Sequence, residues 1–152
     1  MSSIYSIVHQ PEDKKYGTHI GDFIREPLQQ ATLVADYGLA GDAKAGRNLN
    51  RQLNVLSFEW LEGLKAKGYR TNPGEFGEQI ILQDLAVEGL QPGEQLRLGG
   101  EATIEITKAR TGCNRLEAAQ GRSNEDFGGL VGMMAKVVTG GVINVGDEVT
   151  KV

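Results

Sequence analysis

The chain has one cysteine, two histidines, four prolines and only 6% aromatic residues, and each scarcity rules something out. One cysteine cannot close an intramolecular disulfide, so the fold is not a secreted disulfide scaffold. A free thiol kept for chemistry points to a reducing compartment, and the cytoplasm is the expected location. The two histidines, His9 and His19, have no second ligand at metal spacing, which argues against a zinc site. Neither lies near the cysteine in sequence, so a Cys–His hydrolase pair would have to come from folding. No run approaches the roughly 20 apolar residues of a membrane span. The first five residues show no basic stretch followed by an apolar one, so no signal peptide is expected. The net charge of −4 excludes broad nucleic-acid binding, which needs a basic footprint. It still allows one local basic site for a small anion.

What is present suits a single domain over residues 1–152. The apolar fraction of 39% and charged fraction of 24% are ordinary for a globular chain long enough to bury a core. The 21 glycines recur between short apolar runs, the pattern of many tight turns in a β-rich fold. Strands are expected over 4–8, 30–37, 52–56, 77–82, 130–139 and 142–152. Residues 95–98 and 102–108 form a hairpin around Gly99-Gly100. Ala102, Ile104 and Ile106 share its buried face, and Thr103, Glu105 and Thr107 its wet one. One convincing helix covers 58–67, with Ser57 as N-cap, Gly68 as stop, and Phe58, Leu61 and Leu64 turned to the core. A shorter helix follows at 114–119, while 10–23 and 123–129 read as loops. About eight strands with one or two short helices close most naturally as a β-barrel or a packed double sheet.

The cysteine itself, Cys113, stands in Arg110-Thr111-Gly112-Cys113-Asn114-Arg115. Nearby cations, and a helix starting beside it, favour the thiolate. The plain alternative is a small buried hydrophobe, but the flanking residues make a poor core segment. Arg110 and Arg115 suit planar recognition of anions, or are solvated surface charges. In Gly41 to Gly46 the glycines let backbone N–H groups converge on an anion, with Lys44, Arg47 and Arg51 adding positive charge. Asp42 caps that turn or orients a basic residue. In Gly74 to Gln79, Gln79 offers an amide to a heterocycle edge. For Glu78 a structural ion pair with Arg51 or Arg110 is favoured over acid–base work.

Taken in order, four segments resemble the MOSC family, the domain named for the C-terminal part of molybdenum cofactor sulfurases. They are Gly38-Leu39-Ala40-Gly41-Asp42 running to Gly46; Arg51 to Ser57 leading into a helix; Gly74-Glu75-Phe76-Gly77-Glu78-Gln79 followed by Pro92-Gly93-Glu94; and the strand ending in Arg110-Thr111-Gly112-Cys113. The closing Gly140-Gly141-Val142 to Asp147 also looks like the family's last hairpin. The resemblance covers residues 28–151. Lys44 stands where the family usually has His, Gln79 where it has Asn, and Gly112 where it has Pro.

The resemblance implies a closed, mixed β-barrel of the pyruvate-kinase-barrel kind with the cysteine at a cleft, in a small stand-alone member of the family. It further implies that Cys113 ligates molybdenum in molybdenum cofactor, or carries sulfur as a persulfide. Lys44, Arg47, Arg51, Glu78, Gln79, Arg110 and Arg115 are the candidate contacts of an anionic pterin. A molybdenum enzyme of this kind reduces N-hydroxylated compounds and needs an external electron-donor protein, since no flavin or iron–sulfur motif is present. A carrier needs a cysteine desulfurase, and pyridoxal phosphate enters only through that partner. A β-barrel module that binds a small anion and keeps a structural cysteine is the alternative.

Overall fold

Strand content dominates the computed structural model, which describes residues 1–11, 25–112, 114–123 and 130–152, without the side chains of 114, 115 and 118. In chain order the elements are β1 (Ser3–His9), β2 (Glu26–Leu28), β3 (Gln30–Val34), β4 (Gly38–Leu39), β5 (Leu53–Ser57), α1 (Phe58–Lys65) and β6 (Ile80–Gln83). A 3-10 turn (Val87–Gly89) precedes β7 (Gln95–Leu98), β8 (Ala102–Thr111), α2 (Asn114–Gln120), β9 (Leu130–Thr139), β10 (Gly141–Asn144) and β11 (Val149–Lys151). The two-residue β4 and three-residue β2 carry too little pattern to be legible in sequence. The expected 10–23 and 123–129 loops fall mostly outside the described residues.

Eight strands form one sheet in the order β11-β7-β8-β9-β5-β6-β1-β2, and β10-β3-β4 form a second. The sheet is mixed because β5 and β6 run parallel, joined through α1, whereas the other ladders are antiparallel. Neither sheet closes on itself by a ladder among the described residues, so the expected closed barrel is reached only as a mainly β, mixed architecture. The two ends of the large sheet do touch. Ser3 bridges Glu148, and the N–H groups of Ile4 and Val149 donate to Asp147 O (2.9 Å) and Ser2 O (2.8 Å).

Two apolar clusters hold these layers. The larger lies inside the sheets and takes alternate residues of the strands: Leu53 and Val55 of β5, Ile80 and Leu82 of β6, Ala102, Ile104 and Ile106 of β8, and Ala135 and Val137 of β9. The smaller lies on the outer face, where Leu56, Ile81 and Val131 meet Leu61 and Leu64 of α1, Leu116 of α2, Tyr69 and Phe76. β5 and β6 are therefore buried on both faces, which explains their near-continuous apolar sequences.

The helix boundary is set as expected, but not by the expected hydrogen bond. Ser57 has the extended backbone of an N-cap, yet its side chain makes no capping contact. Its hydroxyl lies 2.8 Å from both Leu85 O and Glu88 Oε2, and accepts from the Val87 N–H. It ties β5 to the turn after β6 instead. At the other end Gly68, with φ +92, stops the helix in a conformation that L side chains rarely adopt.

Candidate functional site: a cationic cavity at the end of β8

The site begins with a break in the pleat of β8. Ala102, Ile104 and Ile106 point into the core, so strict alternation would send Lys108 and Arg110 after them. A bulge between Ile106 and Lys108 prevents this: Ile106 pairs with Ala135 and Lys108 with Met134, two residues against one. One extra residue turns Lys108 to the other face. Lys108 thereby joins Met134 of β9 and Asn54 of β5, which sit opposite one another. Next to Asn54 comes Gln79, whose N–H donates to Asn54 O at 3.1 Å. These four cross-strand neighbours form one wall of a cavity of about 530 Å³.

Other segments complete the lining. Loop 40–51 contributes Lys44, Arg47, Asn48 and Arg51; the other contributors are Arg25, Gly77, Ala109, Arg110 and Thr111. Among the described residues, six cations and no carboxylate line the cavity, in a protein with 16 basic and 20 acidic residues. Such a concentration repels itself and attracts anions. Of the residues expected to contact a ligand, Lys44, Arg47, Arg51, Gln79 and Arg110 come together here. Glu78 lies beneath the lining. Cys113 is outside the described residues, as are the side chain of Arg115 and all of His19.

Loop 40–51 does not work as a ring of amides. Ala43 N–H donates to Gln10 O (2.8 Å), Ala45 N–H to Asp42 O (3.0 Å) and Gly46 N–H to Tyr37 O (2.9 Å). Those donors are spent inside the protein, so the loop presents cationic side chains to the cavity in place of the expected amide cradle. Asp42, almost fully buried, caps Gln10 N–H at 2.8 Å and accepts from Gln79 Nε2 at 3.1 Å. Gln79 Oε1 in turn accepts the Asn54 N–H at 2.7 Å. The Gln79 amide thus clamps the loop to β5, which leaves one of its N–H bonds for a heterocycle and its oxygen engaged.

Glu78 is buried at 1% exposure. Its carboxylate accepts the N–H groups of Gly74 (2.5 Å) and Phe76 (3.2 Å). Burial pushes its pKa above the ordinary carboxylate range, opposed by the Gly74 amide, by its own backbone N–H and by the charges of Arg110 and Arg25. Arg25 is held over the same turn, donating to Gln10 Oε1 at 3.0 Å and Gly77 O at 3.4 Å. The turn has no room for a side chain at Gly74: φ is +91, and a Cβ there would stand 2.5 Å from Arg25 Cβ. Glu78 therefore supports the turn and faces two cavity cations.

A pH dependence follows from this burial. A carboxyl whose pKa is raised by folding binds its proton more tightly in the native state. Its contribution to stability is present below the unfolded pKa and is lost as pH rises through the folded one. Glu78→Gln is expected to flatten that decline: melting temperatures of wild type and variant should draw together or cross as pH rises from 5 to 8. Parallel curves over that range would contradict the raised pKa.

Arg25, Lys108 and Asn54 were not legible as site residues. Arg25 lies far from any motif, and only the bulge puts Lys108 on the cavity face. The one available signal was the Lys108–Arg110 pair at a spacing of two, a shared strand face just after three apolar residues. Among the described residues no group of three His, Cys, Asp or Glu side chains could hold a metal ion. Among the described residues no helix is long and apolar enough to cross a membrane.

The MOSC domain model matches residues 18–150, and the chain belongs to the MOSC domain family. Solved structures share the fold at low identity. The YiiM protein of Geobacillus stearothermophilus is 18% identical with a TM-score of 0.72, covering 100% of this chain and 75% of its own. YiiM of Escherichia coli is 19% identical with a TM-score of 0.67, covering 99% and 69%. The YUAD protein of Bacillus subtilis is 17% identical with a TM-score of 0.74, covering 98% and 94%. No curated protein sequence matches the chain significantly. Membership supports a role related to molybdenum cofactor or to sulfur at the level of the family.

Proposed function

We propose that this protein handles molybdenum cofactor or sulfur through Cys113, with the cationic cavity holding the anionic part of the ligand. The observation that carries this reading is that six cations line one cavity whose wall includes Lys108 to Thr111. Cys113 follows Thr111 by two residues, and two residues of chain span at most about 7 Å. In this reading the thiol stands beside those cations and is held as thiolate, the form that binds soft metals and attacks sulfur.

The residues present fit the cofactor. A volume of about 530 Å³ lies within the range of small-molecule sites. The donor set, arginines and lysines with the amides of Asn48 and Asn54, matches a phosphate and the polar edge of a heterocycle. When bound, molybdenum cofactor supplies two-electron oxygen-atom or sulfur chemistry at its metal. Arg110 is the candidate phosphate contact; Lys44, Arg47 and Arg51 add attraction; Cys113 is the candidate metal ligand. Arg115 remains a candidate from sequence alone.

For sulfur transport the chain needs only its own thiol and a donor persulfide. The Cys113 thiolate attacks the terminal sulfur of a persulfide on a pyridoxal-phosphate-dependent cysteine desulfurase. The donor's S–S bond breaks, its cysteine leaves as thiolate, and a new S–S bond forms on Cys113. The cations balance the negative charge of the product. An enzymatic version, reducing N-hydroxylated compounds, would draw electrons from a separate donor protein. A cytoplasmic location agrees with either use of a free thiol. We also read the contacts of residues 2–4 with 147–149 as the seam of a closed barrel.

Molybdenum and pterin analysis, on protein purified gently from a host that makes the cofactor, tests the binding arm. Intact mass after incubation with a cysteine desulfurase and cysteine tests the carrier arm, through a gain of about 32 Da for one added sulfur on a free thiol. Metal with released pterin, or the mass gain, is expected. Absence of all three overturns the proposal and leaves the anion-binding module with a structural cysteine.

A further inference from the structure

We propose that the cavity takes two phosphate-type anionic groups at once, at a buried floor and at an exposed rim; this rests on its reading as the anion site and goes further. The six cations divide by burial. Arg110 is 7% exposed, and Arg25 and Lys44 are half-buried; Arg110 and Arg25 also act on Glu78 beneath the floor. Arg47, Arg51 and Lys108 are exposed and, among the described residues, make no ion pair. They come from two separate elements, loop 40–51 and β8, yet converge on one opening.

One phosphate carries at most two negative charges and is satisfied by a few charge-assisted hydrogen bonds. Once such a group sits on the floor, the rim keeps three like charges around the same opening, with no carboxylate in the lining among the described residues. Holding like charges together is unfavourable unless a counter-ion joins them. The volume of about 530 Å³ exceeds what one phosphate fills, since a water's share of liquid is about 30 Å³ and phosphate is a few times larger. The two anionic groups belong to one diphosphate-bearing ligand, or to two ligands bound side by side.

Calorimetric titration of the whole chain with inorganic phosphate and with pyrophosphate, at matched ionic strength, distinguishes the cases. Pyrophosphate binding at least tenfold tighter than phosphate assigns both groups to one ligand. Two phosphates per chain without that preference assign them to separate ligands. One phosphate per chain with no preference overturns the proposal. The double variant Arg47→Ala/Lys108→Ala changes only exposed side chains. It is expected to weaken pyrophosphate tenfold or more, or to abolish the second phosphate, while changing the first phosphate less than threefold. A double variant that binds both ions as wild type does would also overturn it. Neither titration reads molybdenum or the thiol, so a failed cofactor analysis leaves this result standing, and the reverse holds.

Discussion

Cys113→Ser is expected to lose all bound molybdenum, and all of the sulfur mass gain, while the melting temperature stays within a few degrees of wild type. Serine keeps the size and a hydrogen-bonding tip, but it has no accessible anion near neutral pH and no affinity for soft metals. The loss should be complete because the chain has no second cysteine to substitute. The stability should survive because serine is close to cysteine in size and α2 has buried anchors of its own. Leu116, fully buried, anchors α2 in the outer cluster. Gln120 binds the Arg70 backbone from both sides, accepting its N–H at 2.8 Å and donating to its carbonyl at 2.7 Å. Metal content, intact mass and calorimetry on the same two preparations decide it. A drop in melting temperature of ten degrees or more, with molybdenum or sulfur loading retained, would make Cys113 a packing residue.

Phe76→Ala is expected to have the opposite profile, a large loss of stability that reaches the cavity indirectly. Phe76 is fully buried. Its ring lies 5.5 Å from that of Trp60, edge-on, and 6.3 Å from that of Tyr69. Its N–H donates to Glu78 Oε1. Removing a buried phenyl ring costs about 3–5 kcal/mol, which for a chain of this length lowers the melting temperature on the order of 10 °C. The same ring fixes the turn that carries Glu78 and Gln79, so phosphate affinity should fall by a few-fold as well. Thermal unfolding beside phosphate titration checks both effects. A loss under 1 kcal/mol would show that the outer cluster does not hold the turn.

The two variants separate what the sequence makes visible from what it hides. The periodic elements were legible: the observed β7, β9 and α1 fall within a residue or two of expectation, because β7 and α1 have a clean apolar period and β9 is an apolar run that stops at Gly140. The hairpin of β7 and β8 was readable from Gly99-Gly100 and the alternating isoleucines. The two small strands were not, since three residues and two residues carry too little pattern to read. β4 is two residues long and pairs with Leu33 and Val34.

At the site the split is similar. The cations of loop 40–51 and Arg110 could be named from local composition, and they do line one cavity. Their hydrogen-bonding roles could not. Gln79 reads as a ligand contact, yet long-range bonds to Asp42 and Asn54 make it a clamp. Ser57 reads as a helix cap, yet its hydroxyl serves the turn at residues 85–88. Lys108 needed the bulge, which a one-residue register change makes invisible to any alternation count. In each case the side chain's type was legible and its partner was not, because the partner lies 25 or more residues away.

One measurement bears most directly on the central claim, that a single thiolate stands beside a cationic anion site: the rate of Cys113 alkylation by iodoacetamide against pH, with and without saturating pyrophosphate. With one cysteine the reaction reads one atom. An apparent pKa below the ordinary thiol value of about 8.5, together with slower alkylation when pyrophosphate is bound, is the expected result. A thiol that reacts only when the protein unfolds, or whose rate ignores the anion, would contradict the account.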